Sequence, residues 1–322
     1  MKKGLLALSV IAVGFLFVQC SGSTRTTTVQ RPHFDSDSAY LYVARQLAFG
    51  PRVPNSEAHT RCMLWIGEEL KRHHFDVQYQ SGVLPNYAGK GQVLINIIAT
   101  YKGSDTIPSV LLAAHYDTRP WTDNEAEYEN RFTPVIGAND GASGVAVLLE
   151  VARQIDAYNE AGIKGQPVTL VFFDLEDSGT PAFFTGVQRE DTWCLGSQWW
   201  AANNHQAIQY GIVLDMVGAP DAQFPKEYYS AQYAENYQEK IWRKAASLGY
   251  GRLFVQDYTM PITDDHYYVN LSGIPCVDII HYDAHTQTGF ADWWHTQKDD
   301  LQHIDKATLQ AVGEVILSCL NY

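Results

Sequence analysis

Short, almost wholly apolar runs alternate along the chain with longer segments in which apolar residues recur every three or four positions. The first pattern is typical of strands buried on both faces, and the second of helices that pack one side against a core. Helices are predicted over 38–49, 57–73, 144–157, 196–203, 236–248, 264–271 and 305–320. Strands are predicted to begin near Gln92, Ser109, Pro167, Gly211 and Ile274. The alternation predicts a single α/β domain with a mixed, mostly parallel central sheet and helices on both faces.

The start of the chain follows a different pattern, with two lysines, an unbroken apolar run, and then Gln19 and Cys20. The run is too short for a typical membrane span, and its flanks are those of a signal peptide. A cysteine at its end resembles the lipobox of bacterial lipoproteins; the alternative is a plain secretory signal with an incidental cysteine. We predict a signal peptide over 1–19, lipidation at Cys20, a flexible tether over 20–35 and a folded domain over 36–322. The protein is then expected in the bacterial cell envelope, facing the periplasm and attached to the membrane by its lipid alone.

Charge and cysteine content narrow the function classes. The 322 residues include 36 acidic and 23 basic side chains, for a net charge of -13. A nucleic-acid binder needs clustered Lys and Arg, so no nucleic-acid partner is expected. The sequence holds no C-x-x-C pair, which disfavours a cysteine zinc site, and the four cysteines after Cys20 are expected to be buried free thiols.

Ionisable residues gather where the predicted strands end. Because parallel strands end at one edge of the sheet, these side chains are expected to meet there. So many carboxylates would repel one another, and a divalent cation is the simplest compensation. One His with two carboxylates and an open position is typical of catalytic zinc. The candidates, in chain order, are His115, Asp140, Glu176, Asp177, Asp215, Asp264 and His295.

The order of these motifs, AAHYDT, GANDGASG, FFDLED, LDMVGAP, TDDH and WWHT, resembles the zinc-dependent M28 metallopeptidase family. Within that family the chain is most similar to the glutaminyl-peptide cyclotransferases, through LDMVGAP, DDH, and WHT followed by acids. The resemblance implies a zinc-exopeptidase-like fold and one Zn²⁺ held by Asp140, Asp177 and His295. It further implies that Glu176 is the acid/base, that Asp215 and Asp264 share a hydrogen-bond network with it, and that Trp294 and Phe290 wall the pocket. Trp193 either reaches the substrate or is a structural tryptophan.

The reaction that this resemblance implies is the cyclisation of an N-terminal glutamine to pyroglutamate with release of ammonia, on peptide or protein substrates. The rival hypothesis is a dizinc aminopeptidase of the same fold, in which His115 and Asp215 hold a second zinc and Glu176 activates a bridging water. A third possibility is an inactive lipoprotein that uses the pocket for binding, which the complete series of acids and histidines disfavours.

Overall fold

The computed structural model of the protein describes residues 1, 33–103, 107–187 and 189–320. The predicted signal peptide beyond Met1, the predicted lipidation site Cys20 and the tether up to residue 32 lie outside the described residues. The last two residues of the predicted tether belong to the folded body. Phe34 is buried against Gly313, and the carboxylate of Asp35 accepts hydrogen bonds from the first turn of the first helix.

The central sheet has six strands in the order β1-β2-β4-β3-β5-β6. Strands β3, β4, β5 and β6 run parallel to one another, whereas β2 is antiparallel to both β1 and β4. This arrangement confirms the mixed, mostly parallel sheet. The strands span Asp76–Pro85 (β1), Gly91–Tyr101 (β2), Ser109–His115 (β3), Val168–Phe173 (β4), Ile208–Asp215 (β5) and Cys276–Ile280 (β6).

Eight α-helices in the described part of the chain cover the sheet. None of them is long and apolar enough to cross a bilayer. The longer helices α1, α2, α3, α6 and α8 contribute to one large core, and α4 and α7 pack together on the opposite face. The helices span Ser36–Leu47 (α1), Glu57–Arg72 (α2), Ala142–Glu160 (α3), Leu195–Asn203 (α4), Tyr228–Tyr233 (α5), Glu235–Leu248 (α6), Asp265–Leu271 (α7) and Lys306–Cys319 (α8).

Both faces of β3 are buried, which explains its unbroken apolar run. Leu112 faces the large core beside α3, and its neighbour Leu111 faces the smaller core that contains Trp200 and Val269. A strand in this position has no solvent-facing side, so polar alternation is lost. The four cysteines of the described part, Cys62, Cys194, Cys276 and Cys319, are buried and unpaired, as the sequence predicts.

The parallel strands end together at one edge of the sheet. Strand β3 ends at His115 and β5 at Asp215, while β4 and β6 end at Phe173 and Ile280, just before further polar residues. The loops that follow these strands therefore converge on a single region, as expected for an open parallel sheet.

Candidate metal centre and active-site cavity

One cavity of about 700 Å³ at the carboxyl edge of the sheet collects almost every predicted site residue. His115 lies in direct contact with two lining residues, and its side chain is 1% exposed. Cys20, the predicted lipidation site, lies outside the described residues. The predicted residues that line the cavity are Asp140, Glu176, Asp177, Trp193, Asp215, Asp264, Phe290, Trp294 and His295.

The first three-residue cluster consists of Asp140, Asp177 and His295. Nε2 of His295 lies 3.3 Å from Oδ2 of Asp140 and 3.2 Å from Oδ1 of Asp177. Metal–ligand bonds of about 2.0–2.1 Å in a tetrahedral zinc site place neighbouring ligand atoms roughly 3.3 Å apart. The three side chains converge with the spacing and the donor types that such a site requires.

A second cluster consists of His115, Asp140 and Asp215. Nε2 of His115 lies 3.0 Å from Oδ1 of Asp140 and 3.3 Å from Oδ1 of Asp215. On the other side of the ring, Nδ1 lies 3.5 Å from the carboxylate of Asp117. Asp140 therefore belongs to both clusters, with one carboxylate oxygen directed at each histidine.

Buried charged groups hold the main chain around Asp140 through hydrogen bonds. The carboxylate of Asp299 accepts the N–H groups of Asn139 at 2.7 Å and of Asp140 at 3.1 Å. The guanidinium of Arg52 donates to the carbonyl of Gly137 at 2.7 Å, so the turn is fixed on both sides. The carboxylate of Asp140 also accepts the indole N–H of Trp294 at 3.0 Å. Asp140 is thus positioned to face the cavity.

A buried ion pair supports the other two members of the first cluster. Arg119 binds the carboxylate of Asp123 through two hydrogen bonds of 2.9 and 2.6 Å. The same guanidinium lies 3.5 Å from Oδ1 of Asp177, and Asp123 lies 3.7 Å from Nδ1 of His295. The guanidinium of Arg119 therefore lies beside Asp177, and the carboxylate of Asp123 lies beside His295. Charged neighbours of this kind typically orient metal ligands.

Glu176 lies beside the first cluster. The carboxylate of Asp117 accepts its backbone N–H at 3.2 Å, and its own side chain accepts a hydrogen bond from the thiol of Cys194, with Sγ 3.3 Å from Oε1. Burial raises the pKa of Glu176 well above its usual range, and the charges of Asp177 and Asp264 raise it further against the opposing His115. A carboxyl group with a raised pKa is suited to take up and release a proton near neutral pH.

Two further acids share this environment. Burial raises the pKa of Asp215 to about 7, with the charges of Asp140 and Asp264 adding to the effect and the contact with His115 opposing it. Burial likewise raises the pKa of Asp264, whose carboxylate accepts the N–H of Asp265 at the start of α7. Without a bound cation, Asp215 is therefore partly protonated near neutral pH.

Aromatic rings close the sides of the cavity. The rings of Phe290 and Trp294 lie 4.6 Å apart, and Trp294 stacks on the imidazole of His295 at 3.7 Å. Trp193 lines the cavity and also covers the guanidinium of Arg119 at 4.5 Å. The two hypotheses for Trp193 are therefore compatible, because the same ring packs structurally and faces the cavity.

The residues that support the site were not identified from the sequence. Arg119, Asp123 and Cys194 follow none of the strand-end patterns, and their roles depend on contacts across the fold. Asp299 lies in the acidic stretch after the WHT motif, which is the only sequence signal for it. Conversely, Asp174 directly follows β4 but is not part of the cavity lining, and it pairs with His59 at 2.8 Å.

Residues 96–320 match the model of peptidase family M28. The chain belongs to peptidase family M28. The matched range contains both metal-type clusters and Glu176. The M28 assignment agrees with the sequence resemblance, and it accounts for the sheet and for the position of the cavity at the ends of its strands.

Solved structures place this M28 chain among close relatives. It is 47% identical to the glutaminyl cyclase of Tannerella forsythia, with a TM-score of 0.85 over 90% of this chain and 99% of that one. A Zn-dependent exopeptidase from Parabacteroides distasonis is 45% identical, with a TM-score of 0.86 over 91% of this chain and 99% of that one. Aminopeptidase YwaD of Bacillus subtilis is 24% identical over 84% of this chain, which spans 53% of the length of that protein.

Proposed function

We propose that this M28 protein converts the N-terminal glutamine of peptides and proteins to pyroglutamate and releases ammonia. The observation that carries the proposal is the 47% identity to a bacterial glutaminyl cyclase over 90% of the chain. The cavity supports it as well, since a buried carboxyl group with a raised pKa lies beside a three-residue cluster of metal-ligand type.

Asp140, Asp177 and His295 would hold one zinc ion. Two carboxylates and one imidazole are the donor set of a catalytic zinc site, and their mutual spacing fits tetrahedral ligation. When bound, zinc supplies a Lewis acid that polarises the side-chain carbonyl of the glutamine.

Glu176 moves the proton in this proposal. The α-amino nitrogen forms a bond to the side-chain amide carbon, and the bond from that carbon to the amide nitrogen breaks. The carboxylate of Glu176 accepts a proton from the attacking nitrogen and returns it to the departing one, so that ammonia leaves. The neighbouring acid Asp264 favours proton uptake by Glu176 because it adds negative charge nearby.

The aromatic walls exclude competing water. Phe290, Trp294 and Trp193 line the cavity where the five-membered ring has to form. Because both reacting groups belong to one residue, holding that residue in a bent conformation supplies much of the rate. Bulk water kept out by the rings is then unable to replace the amine as nucleophile.

The second cluster favours a rival function, a dizinc aminopeptidase, in which His115, Asp140 and Asp215 hold another zinc. A direct test offers the purified protein a Gln-dipeptide and a Leu-dipeptide, and measures ammonia, free amino acids and bound zinc. We expect pyroglutamyl product from the first, no turnover of the second, and one tightly bound zinc. Hydrolysis of the Leu-dipeptide by protein that carries two bound zinc ions would instead support the aminopeptidase function.

We also infer attachment to a bacterial envelope membrane through a lipid on Cys20, with the catalytic domain facing the periplasm. The support is the apolar run that ends at this cysteine. In a bacterial host, a Cys20→Ala variant should move from the membrane fraction to the soluble periplasmic fraction. Equal distribution of variant and wild type between these fractions would contradict the lipid anchor.

A further inference from the structure

A second hollow of about 320 Å³ lies next to the active-site cavity, between the end of β1 and helix α4. Leu84 and Pro85 of β1 and Leu195, Trp199 and Ala202 of α4 supply its apolar lining. Its floor continues a small apolar cluster in which Leu84 and Trp199 pack against buried leucines. The hollow is therefore apolar between β1 and α4 and is separate from the metal-type clusters. Charged and polar residues form the rest of its lining: Arg189, Glu190, Asp191, Thr192 and Gln198.

The segment 191–193 forms the wall shared by the two spaces. Trp193 lines the active-site cavity, Thr192 lines the hollow, and Asp191 lines both. The side-chain amide of Gln198 donates to the carbonyls of Asp191 at 3.2 Å and of Trp193 at 2.8 Å, which fixes this wall to α4. The two spaces thus lie side by side and share Asp191 as a lining residue.

A peptide substrate has to leave the active-site cavity, because only its first residue reacts. The hollow is adjacent, and its walls from β1 and α4 are largely apolar, whereas the cavity itself is strongly acidic. An apolar side chain gains free energy on entering such a concavity, whereas a hydroxyl group there loses hydrogen bonds to water. The occupant that fits is an apolar residue of the substrate, downstream of the glutamine.

We propose that the hollow between β1 and α4 is a subsite for an apolar side chain of the peptide that follows the N-terminal glutamine. This inference rests on the proposed cyclase function and names the substrate class that the enzyme prefers. Asp191 lies where the peptide passes from the cavity to the hollow, and α4 carries the residues that select the side chain.

The test compares two pentapeptides that begin with Gln-Ala and continue with either two leucines or two serines. For the wild type we expect kcat/KM to be on the order of tenfold higher for the leucine peptide, as apolar pockets discriminate to about that extent. Turnover of Gln-Ala alone is measured in parallel. If Gln-Ala is not cyclised, the proposed function fails; if it is cyclised and the pentapeptides react equally, the subsite fails.

Variants of the exposed residue Ala202 test whether the hollow causes the preference for the leucine peptide. Ala202→Trp fills the space and Ala202→Glu places a charge in it, so either substitution should reduce the leucine-to-serine ratio to about one. The matched controls are Ala246→Trp and Ala246→Glu, at an exposed position of α6 outside the hollow, and these should keep the wild-type ratio. A ratio unchanged in both Ala202 variants would overturn the assignment.

Discussion

Glu176 differs from the other acids of the cavity in its contacts. Asp140, Asp177 and Asp215 each face an imidazole nitrogen within 3.3 Å, whereas the carboxylate of Glu176 lies 3.9 Å from Nδ1 of His115. Its one hydrogen-bond donor among the described residues is the thiol of Cys194, which is a weak donor. Unlike these three acids, Glu176 therefore has no imidazole nitrogen within hydrogen-bond distance, which suits a proton carrier.

Replacing Glu176 with Gln should leave folding and zinc binding intact, because the amide has nearly the same shape and Glu176 lies outside the two clusters that share Asp140. The amide cannot accept and return the proton, so kcat should fall by about 10²–10⁴-fold. The measurement is ammonia release from a Gln-dipeptide, alongside zinc content. Glu129→Gln, at an exposed position remote from the cavity lining, is the control and should retain full activity. Wild-type turnover by Glu176→Gln would remove the assigned role.

A second prediction at the scale of single residues concerns Asp299. Its carboxylate accepts the N–H groups of Asn139 and Asp140, so Asp299→Ala leaves both donors without their partner and releases the turn that presents Asp140. We expect zinc affinity to weaken by about 10- to 100-fold, as for other residues that orient metal ligands. Competition with a fluorescent chelator measures this affinity.

The neighbouring variant Asp300→Ala is the control for Asp299→Ala. Asp300 accepts the N–H of Gln302 and is not in contact with the turn at Asp140. Asp300→Ala therefore removes a surface cap and leaves the contacts of the metal-type clusters unchanged. Its zinc affinity should equal that of the wild type. A similar loss in both variants would point to general loosening of the segment 299–303 instead of a specific effect on Asp140.

The sequence predicted the residues that face the cavity better than those that hold them in place. His115 and Asp215 end buried strands, and parallel strands share an edge, so their convergence follows from the strand pattern alone. Arg119 and Asp299 contribute through contacts with residues far away along the chain. No local pattern encodes such a contact, so supporting residues of this kind emerge only with the fold.

At the scale of elements, the predicted helices and buried strands are confirmed to within a few residues, but β1 and α5 were missed. Strand β1 is an edge strand with no fully buried residue, so its sequence lacks the apolar run or the clean alternation that identifies a strand. Helix α5 has six residues, and a single buried position gives it no helical apolar stripe. Both elements are formed by tertiary contacts more than by their own pattern.

Helix α5 is fixed to α7 through Glu227. The buried carboxylate accepts the N–H groups of Tyr229 at 2.9 Å and Ser230 at 2.6 Å, and lies 2.8 Å from Nε2 of His266. Burial raises the pKa of Glu227, but the contact with His266 and the two backbone N–H groups outweigh burial and leave the pKa below its usual range. A carboxyl group whose pKa is lowered by folding stabilises the protein above its unfolded pKa.

That stabilisation should disappear as the pH falls through the lowered pKa of Glu227. The difference in unfolding free energy between wild type and Glu227→Gln should therefore be largest above the usual pKa of a glutamate and shrink as the pH falls below it. Urea unfolding monitored by tryptophan fluorescence at several pH values measures this difference. A difference that stays constant, or grows, as the pH falls would mean that the carboxylate does not provide the link between α5 and α7.

At the scale of the whole molecule, the site joins distant parts of the chain. The first cluster combines residues that follow β3, β4 and β6, at positions 140, 177 and 295. A zinc ion bound there would close long loops. The binding site exists only in the folded state, so zinc binding would add to the stability of that state. The fold class was predictable because its strands are buried on both faces. The strand order, in which β4 inserts between β2 and β3, was not predictable from the sequence, since register and crossover depend on tertiary packing.

Removing zinc should therefore lower the melting temperature. At free zinc about 100-fold above Kd, the ion contributes roughly 2.7 kcal/mol, which for a protein of this size corresponds to a shift of roughly 4–5 °C. Differential scanning calorimetry with chelator and with excess zinc measures the shift. In His295→Ala, which lacks one ligand of the first cluster, the two conditions should give nearly the same melting temperature; a full shift in that variant would place the stabilising ion elsewhere.

The shared carboxylate of Asp140 has a consequence for metal stoichiometry. A cation bound beside His295 neutralises part of the charge that a cation beside His115 would need, and two divalent ions so close together repel each other. Occupancy of the two clusters is thus antagonistic, and the antagonism is reciprocal by thermodynamic linkage. A titration with zinc should resolve into a tight first equivalent and a much weaker second, so the free zinc concentration decides how many ions the enzyme carries.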